Sequence, residues 1–131
     1  MSSENLPISS GKVCLTSQGD NLDSEVDPRF GRCLFFVVVN LETGEFKALK
    51  NPNTDSMGGA GVQSGQLIAG EKVKAVLTGN VGPNAYQTLK AADIQVITGV
   101  SGKVSEAVER YKKGEFESTD GPSVGSKFGT K

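Results

Sequence analysis

The sequence predicts a three-layer α/β fold in which a five-stranded mixed sheet carries helices on both faces. Two observations lead to this fold class. Five short apolar segments have the composition of strands, and after the third of them helical patterns alternate with strands. Such alternation requires right-handed crossovers and a partly parallel sheet. The 131 residues have the size of one domain, and we find neither an internal repeat nor a second domain.

The five predicted strands differ in how strongly the sequence marks them. The first occupies residues 12–16. The second, residues 33–39, is almost wholly apolar, as is typical of a strand buried on both faces. Gly44 lies in a turn where a positive φ is tolerated, so residues 45–50 are expected to return as a hairpin partner. The last two predicted strands are residues 74–78 and 94–98.

Three helices are predicted from periodicity and from their end signals. The first occupies residues 62–71. The second begins at Pro83, whose missing N–H costs nothing in a first helical turn. The third has its apolar residues at i, i+3, i+4 and i+7 and ends at Gly114. The predicted apolar sides comprise Val62, Leu67, Ile68 and Ala69, then Ala85, Tyr86, Leu89 and Ala92, then Val104, Ala107, Val108 and Tyr111.

Both ends of the chain have few residues to bury. Residues 1–11 and 118–131 are therefore expected to be disordered tails on a domain of residues 12–117. No apolar run is long enough to span a bilayer, and the first residues lack the features of a signal peptide. We therefore expect a cytoplasmic protein. The net charge of -1 gives no general attraction to nucleic acid or to a membrane.

Glycine is unusually frequent, with 17 residues in the chain, nearly twice the usual share of about 7%. Three glycine clusters precede the three predicted helices. Helix N-termini hold anions through unpaired N–H groups, and glycine allows a ligand to approach the backbone. The clusters therefore predict an anion-binding rim at the carboxyl ends of the strands, although tight turns use glycine as well. The rim comprises Gly58, Gly59, Ala60, Gly61, Gly79, Asn80, Gly82, Pro83, Asn84, Ser101 and Gly102.

The segment of residues 17–32 has no periodic pattern and few residues to bury. Loops this long are usually functional or disordered, and we expect this one to be mobile without a ligand. Arg29 and Arg32 at its end offer positive charge to an anion. The alternative is an ion pair, for example between Arg29 and Asp27. Cys33 is either a ligand for a soft metal or a buried apolar residue, and Cys14 is expected in the core.

The residue types argue against catalysis. The chain contains no histidine, which is the commonest general base and the commonest metal ligand. No carboxylate lies inside the predicted strands, where a two-metal nuclease would need one; Glu45 is only at the start of the third. Two cysteines cannot complete a four-ligand metal site. We therefore expect that the protein is not an enzyme. We also expect that any metal cluster it binds is held mainly by hydrogen bonds and charge.

Four motifs in order resemble the dinitrogenase iron–molybdenum-cofactor biosynthesis family. They are VDPRFGR at 26–32, GGAG at 58–61, TGNVGPNA at 78–85 and GVSG at 99–102. The resemblance covers about residues 12–116 and is closest to the small stand-alone members. It implies a ribonuclease H-like fold without nuclease activity. Nitrogenase-associated members have a histidine as a candidate cluster ligand, and this sequence departs from them in having none.

The resemblance also implies a cargo. Family members bind molybdenum-containing sulfide clusters, with iron or copper, during cofactor assembly or transfer, so the implied partners are the cluster and its donor or acceptor proteins. Neither nucleic acid nor membrane is implied. The alternative function is a regulatory or scaffold module that binds a partner protein or a phosphorylated metabolite. A thiol-redox protein is a third reading, but the sequence lacks a Cys-X-X-Cys pair.

Overall fold

The computed structural model describes residues 10–52 and 60–119, in which five strands and three helices follow the predicted order. Each boundary that the sequence predicted lies within two residues of the observed one, which is the usual uncertainty at element ends. The elements are β1 (Lys12–Ser17), β2 (Phe35–Asn40), β3 (Phe46–Lys50), α1 (Ala60–Ala69), β4 (Ala75–Leu77), α2 (Pro83–Ala91), β5 (Gln95–Ile97) and α3 (Val104–Lys112).

The strands form one sheet in the order β3-β2-β1-β4-β5. β1, β4 and β5 are parallel, whereas β2 is antiparallel to both of its neighbours. Gly44 has a φ of +79° in the predicted turn between β2 and β3. The carboxyl ends of β1, β3, β4 and β5 therefore lie at the same edge as the start of β2. This edge is called the carboxyl edge below.

The sheet separates two hydrophobic cores, which confirms the predicted three layers. α3 packs on one face through Val104, Ala107, Val108 and Tyr111, as predicted, and α1 and α2 pack on the other face. Ala92 was predicted to face inward but is exposed, because the helix has already ended there and Ala92 is its C-cap. None of the described helices is long and apolar enough to cross a membrane.

Small residues let α1 and α2 approach closely. Ser64 and Gly65 of α1 are both buried, although the predicted apolar side did not include them. A Cβ atom on Gly65 would lie 2.8 Å from Cγ2 of Thr88 in α2, and one on Gly61 would lie 3.1 Å from Cβ of Ala85. The glycines therefore set the distance between the two helices.

The described chain continues past residue 117, where we predicted the second tail to begin. Thr119 donates its N–H to the carbonyl oxygen of Val96 at 2.7 Å, and its hydroxyl oxygen accepts the N–H of Thr98 at 3.1 Å. The chain thus lies along the outer side of β5 up to this point. The remainder of both predicted tails, residues 1–9 and 120–131, lies outside the described residues.

Candidate functional site

The connection between β1 and β2, residues 18–34, is bound to the rest of the domain by main-chain hydrogen bonds. Val26 donates its N–H to the carbonyl oxygen of Gly102 at 2.8 Å, and Phe30 donates to that of Asn80 at 3.2 Å. Val26 is buried in the core under α3, and Phe30 is buried in the core under α1 and α2. The expectation that this segment has little to bury is therefore wrong, since Val26 and Phe30 anchor it in both cores.

Arg29 is brought to the carboxyl edge by the connection that follows β4. Arg29 and Asn80 are paired as in a parallel bridge, and Nδ2 of Asn80 donates to the carbonyl oxygen of Pro28 at 3.3 Å. Nε of Arg29 lies 3.3 Å from Oδ1 of Asp27, so the ion pair considered as an alternative is present. The Arg29 side chain is nevertheless 61% exposed. The ion pair therefore leaves much of this side chain open to solvent.

Arg32 and Cys33 are neighbours in sequence but differ in environment. Arg32 is exposed, whereas Cys33 is fully buried. Burial, reinforced by the negative charge of Asp27, raises the pKa of the Cys33 thiol to about 12. The thiolate is the form that binds metals, and at neutral pH this residue is a protonated thiol. Cys33 thus lies in the core, as expected if it is a buried apolar residue.

The first turns of α1 and α2 meet at the carboxyl edge. Gly61 faces Ala85 across the contact described above. Gly82 is the N-cap of α2 and Pro83 begins the helix, but no side chain caps it. The N–H groups of a first helical turn have no partner within the helix. Asn84 and Ala85 therefore present main-chain donors beside α1.

Ser64 connects α1 to the loop that carries Arg29 and Arg32, and Asn51 connects the end of β3 to the same loop; the sequence analysis identified neither residue. The hydroxyl of Ser64 donates to the carbonyl oxygen of Gly31 at 3.3 Å. Nδ2 of Asn51 lies 3.1 Å from the same oxygen and 2.8 Å from the carbonyl oxygen of Cys33. Polar residues that follow a strand or interrupt an apolar helix face were the available signal.

The third glycine cluster lies at a helix start whose donors are already used. Val104 and Ser105, the first residues of α3, donate their N–H groups to the carbonyl oxygens of Ser24 and Leu22 at 2.8 and 2.9 Å. α3 also lies on the other face of the sheet from α1 and α2. The connection that contains Ser101 and Gly102 still contacts the rim, since Gly99 donates its N–H to the carbonyl oxygen of Gly79 at 2.8 Å, but the first N–H groups of α3 are not free to bind an anion.

The observed arrangement is a smaller rim than the predicted one. It joins Arg29 and the Gly79–Asn80 connection to the first turns of α1 and α2, while Gly58 and Gly59 lie outside the described residues. In residues 10–52 and 60–119, no group of three or more His, Cys, Asp or Glu side chains is placed to hold a metal ion. The chemistry of this rim is therefore hydrogen bonding and positive charge, which suits an anion.

Comparison with known proteins places the chain in a family. The family model described as dinitrogenase iron-molybdenum cofactor matches residues 11–114. An uncharacterized protein of Methanocaldococcus jannaschii, MJ0580, is 33% identical over 98 residues, which is 72% of this chain and 83% of the relative. The apo form of the orange protein from Desulfovibrio gigas has a TM-score of 0.84 and 37% identity, covering 87% of this chain and 97% of that one.

A second solved structure agrees with this placement. The NMR structure of a Thermotoga protein of the DUF35 family has a TM-score of 0.72 and 32% identity, over 82% of this chain and 92% of that one. The family model spans most of the chain, including both cores and the whole rim. This chain belongs to the dinitrogenase iron-molybdenum cofactor family.

Proposed function

We propose that this protein binds and carries an anionic metal–sulfur cluster, containing molybdenum with iron or copper, in cofactor assembly or metal handling. Membership of the family supports a cofactor-related role. The observation that carries the proposal is the meeting of two helix N-termini with an exposed arginine, beside a cysteine that is buried and protonated. This arrangement offers an anion many donors and offers a metal no thiolate.

The proposed mode of binding suits a carrier and not an enzyme. Main-chain N–H groups and a guanidinium bind the sulfide surface of a cluster through charge-assisted hydrogen bonds. Each such bond contributes only about 1–3 kcal/mol, and the cluster keeps its own metal–sulfur bonds. The cargo can therefore be released intact to another protein. We further propose cytoplasmic donor and acceptor proteins as the partners in this exchange.

Titration of the metal-free protein with tetrathiomolybdate, with and without copper, tests the proposal. We expect an absorption spectrum that differs from the protein-free mixture, and molybdenum that elutes with the protein in gel filtration. A spectrum identical to the protein-free control, with no metal in the protein fraction, would contradict the proposal. Binding of a phosphorylated metabolite in place of tetrathiomolybdate would favour the regulatory alternative.

Two variants separate the proposed mode from coordination by a thiolate. Replacing both Arg29 and Arg32 with alanine removes positive charge from exposed side chains, so binding should weaken while the fold persists. Cys33→Ala removes the thiol next to Arg32 in sequence, and binding should be retained. The reverse pattern would show that a thiolate holds the cluster.

A further inference from the structure

Asp27 is a buried carboxylate next to a rim that we propose to bind anions. Its side chain is 1% exposed, and its main chain is held twice by the end of β1. Its N–H donates to the carbonyl oxygen of Thr16 at 2.8 Å, and its own carbonyl oxygen accepts the hydroxyl of Thr16 at 2.7 Å. The backbone that carries this side chain is therefore fixed by the end of β1.

One oxygen of that carboxylate holds two parts of Arg29. Oδ1 of Asp27 accepts the main-chain N–H of Arg29 at 2.9 Å and its side-chain Nε–H at 3.3 Å. The residue between them is Pro28, whose ring fixes φ. Asp27 thereby restrains both the backbone and the guanidinium of the residue that carries the exposed charge of the rim.

The connection after β4 supports the same geometry from the other side. A Cβ on Gly79 would lie 2.6 Å from Cα of Pro28, so the two backbones are in direct contact. The hydroxyl oxygens of Thr16 and Thr78 lie 2.7 Å apart between the ends of β1 and β4. The buried contacts beside the Asp27–Arg29 pair thus join the ends of two parallel strands.

We infer that Asp27 is a positioning residue, whose buried carboxylate orients the Arg29 guanidinium at the carboxyl edge and so strengthens anion binding. The inference rests on the proposed function for its effect on affinity. The orientation of Arg29 by Asp27 is independent of the proposed function and can be measured without any cluster.

The sign of the effect distinguishes this role from simple electrostatics. A negative charge near the rim repels an anion, so its removal by Asp27→Asn should tighten binding if charge alone matters. If Asp27 acts by orienting Arg29, the same change should weaken binding. Asparagine keeps an oxygen that accepts the main-chain N–H of Arg29, but it lacks the charge that holds Nε–H.

A double-mutant cycle with tetrathiomolybdate as the probe tests the effect on affinity. We expect Asp27→Asn to weaken binding by about tenfold, near the lower end of the effect of losing one charge-assisted hydrogen bond. In the Arg29→Ala background the same change should have no weakening effect, because no guanidinium remains to be oriented. Tighter binding by Asp27→Asn, or an equal loss in both backgrounds, would overturn the inference.

NMR of the arginine side chains tests the geometry without a ligand. Hydrogen exchange of the Arg29 Nε–H should be several-fold faster in Asp27→Asn than in the wild type. The control is Arg110, whose Nε lies 3.2 Å from Oε1 of the exposed Glu115. The exchange rate of the Arg110 Nε–H should be the same in both proteins. Equal exchange at Arg29 in both proteins would overturn the inference even if tetrathiomolybdate binds. If exchange at Arg29 is faster in Asp27→Asn but tetrathiomolybdate does not bind to the wild type, the inference stands and the proposed function is contradicted.

Arg29→Lys covers the case in which Asp27→Asn does not fold. Lysine keeps the positive charge but has no Nε–H in the guanidinium geometry that Asp27 restrains. The exposed position of Arg29 makes this change tolerable to the fold. Binding weaker than that of the wild type would support an oriented guanidinium. Unchanged binding would show that charge suffices and would overturn the inference.

Discussion

The two thiols show how strongly the surroundings of a residue decide its chemistry. Cys14 and Cys33 are both fully buried in the core under α1 and α2. Burial raises the pKa of Cys14 well above 9.0, and burial followed by the charge of Asp27 raises the pKa of Cys33 to about 12. In a protein proposed to carry sulfide clusters, neither thiol is in a state that would compete for the metal.

These shifts predict a loss of stability in alkali. A raised thiol pKa stabilises the native state fully below about pH 9, and this contribution is lost as the pH rises towards 12. For Cys33 the loss should be about 2 kcal/mol at pH 10.5, at about 1.4 kcal/mol per pH unit above its ordinary pKa. Urea unfolding at pH 8 and pH 10.5 measures the free energy of unfolding directly.

Cys33→Ala is the matched control for the alkaline measurement. The variant should be less stable at pH 8, because it leaves a small cavity. It should then lose about 2 kcal/mol less than the wild type between the two pH values. An equal loss in both proteins would show that the Cys33 thiol does not contribute.

At the residue scale the sequence predicted apolar burial better than polar burial. The positions of Cys14 in the core and of the Arg29–Asp27 ion pair follow from residue type and spacing. The burial of Thr16 and Ser64 does not. A polar residue is buried only where a partner is present, and their partners, Asp27 and Gly31, lie elsewhere in the chain.

At the scale of elements, α2 and α3 both follow glycine-rich connections but differ in whether their first N–H groups have partners. The local sequence predicts N–H groups without partners at the start of each helix. α2 agrees with this prediction, since no side chain caps it. The prediction fails for α3, whose first N–H groups bind Ser24 and Leu22. Those acceptors lie about 80 residues earlier in the chain, so no local pattern in the sequence reports them.

Gly79 and Gly82, on either side of Asn80 and Val81, should respond very differently to substitution. A Cβ on Gly79 meets the backbone of Pro28 at 2.6 Å, whereas nothing lies within 4 Å of one on Gly82. We expect Gly79→Ala to lower the free energy of unfolding by about 1–3 kcal/mol, as overpacking does. Gly82→Ala should change it by less than about 0.5 kcal/mol. Urea unfolding measures both.

Binding provides a second measurement on this pair. Displacement of Pro28 in Gly79→Ala should also move Arg29, so tetrathiomolybdate should bind more weakly than to the wild type. If Gly79→Ala and Gly82→Ala were equally stable, the close contact between the two connections would be absent in solution.

For the whole molecule, fold class was the most predictable property. The alternation of strands and helices after β3 fixes a partly parallel sheet, and the apolar run in β2 marks a buried strand. The candidate site was less predictable because it depends on tertiary contacts. Gly61 against Ala85, and Arg29 against Asn80, join segments that are far apart in sequence.

The connection between β1 and β2 should be rigid in the metal-free protein at its anchored positions. The N–H of Val26 is bonded to Gly102 and the side chain is buried, whereas Asp20 is exposed. We expect the amide of Val26 to exchange at least about a hundredfold more slowly than that of Asp20. Hydrogen exchange monitored by NMR measures both rates. Similar fast exchange at the two positions would restore the picture of a loop that orders only with ligand.

The contact of Thr119 with β5 has a consequence for self-association. An unpaired outer strand is a template on which a second chain can add its own strand and begin to aggregate. Thr119 occupies hydrogen-bonding groups of Val96 and Thr98 on one outer strand. The other outer strand, β3, carries the exposed charges of Lys47 and Lys50 on either side of its short apolar centre. We therefore expect both outer strands to resist pairing with a strand of a second chain.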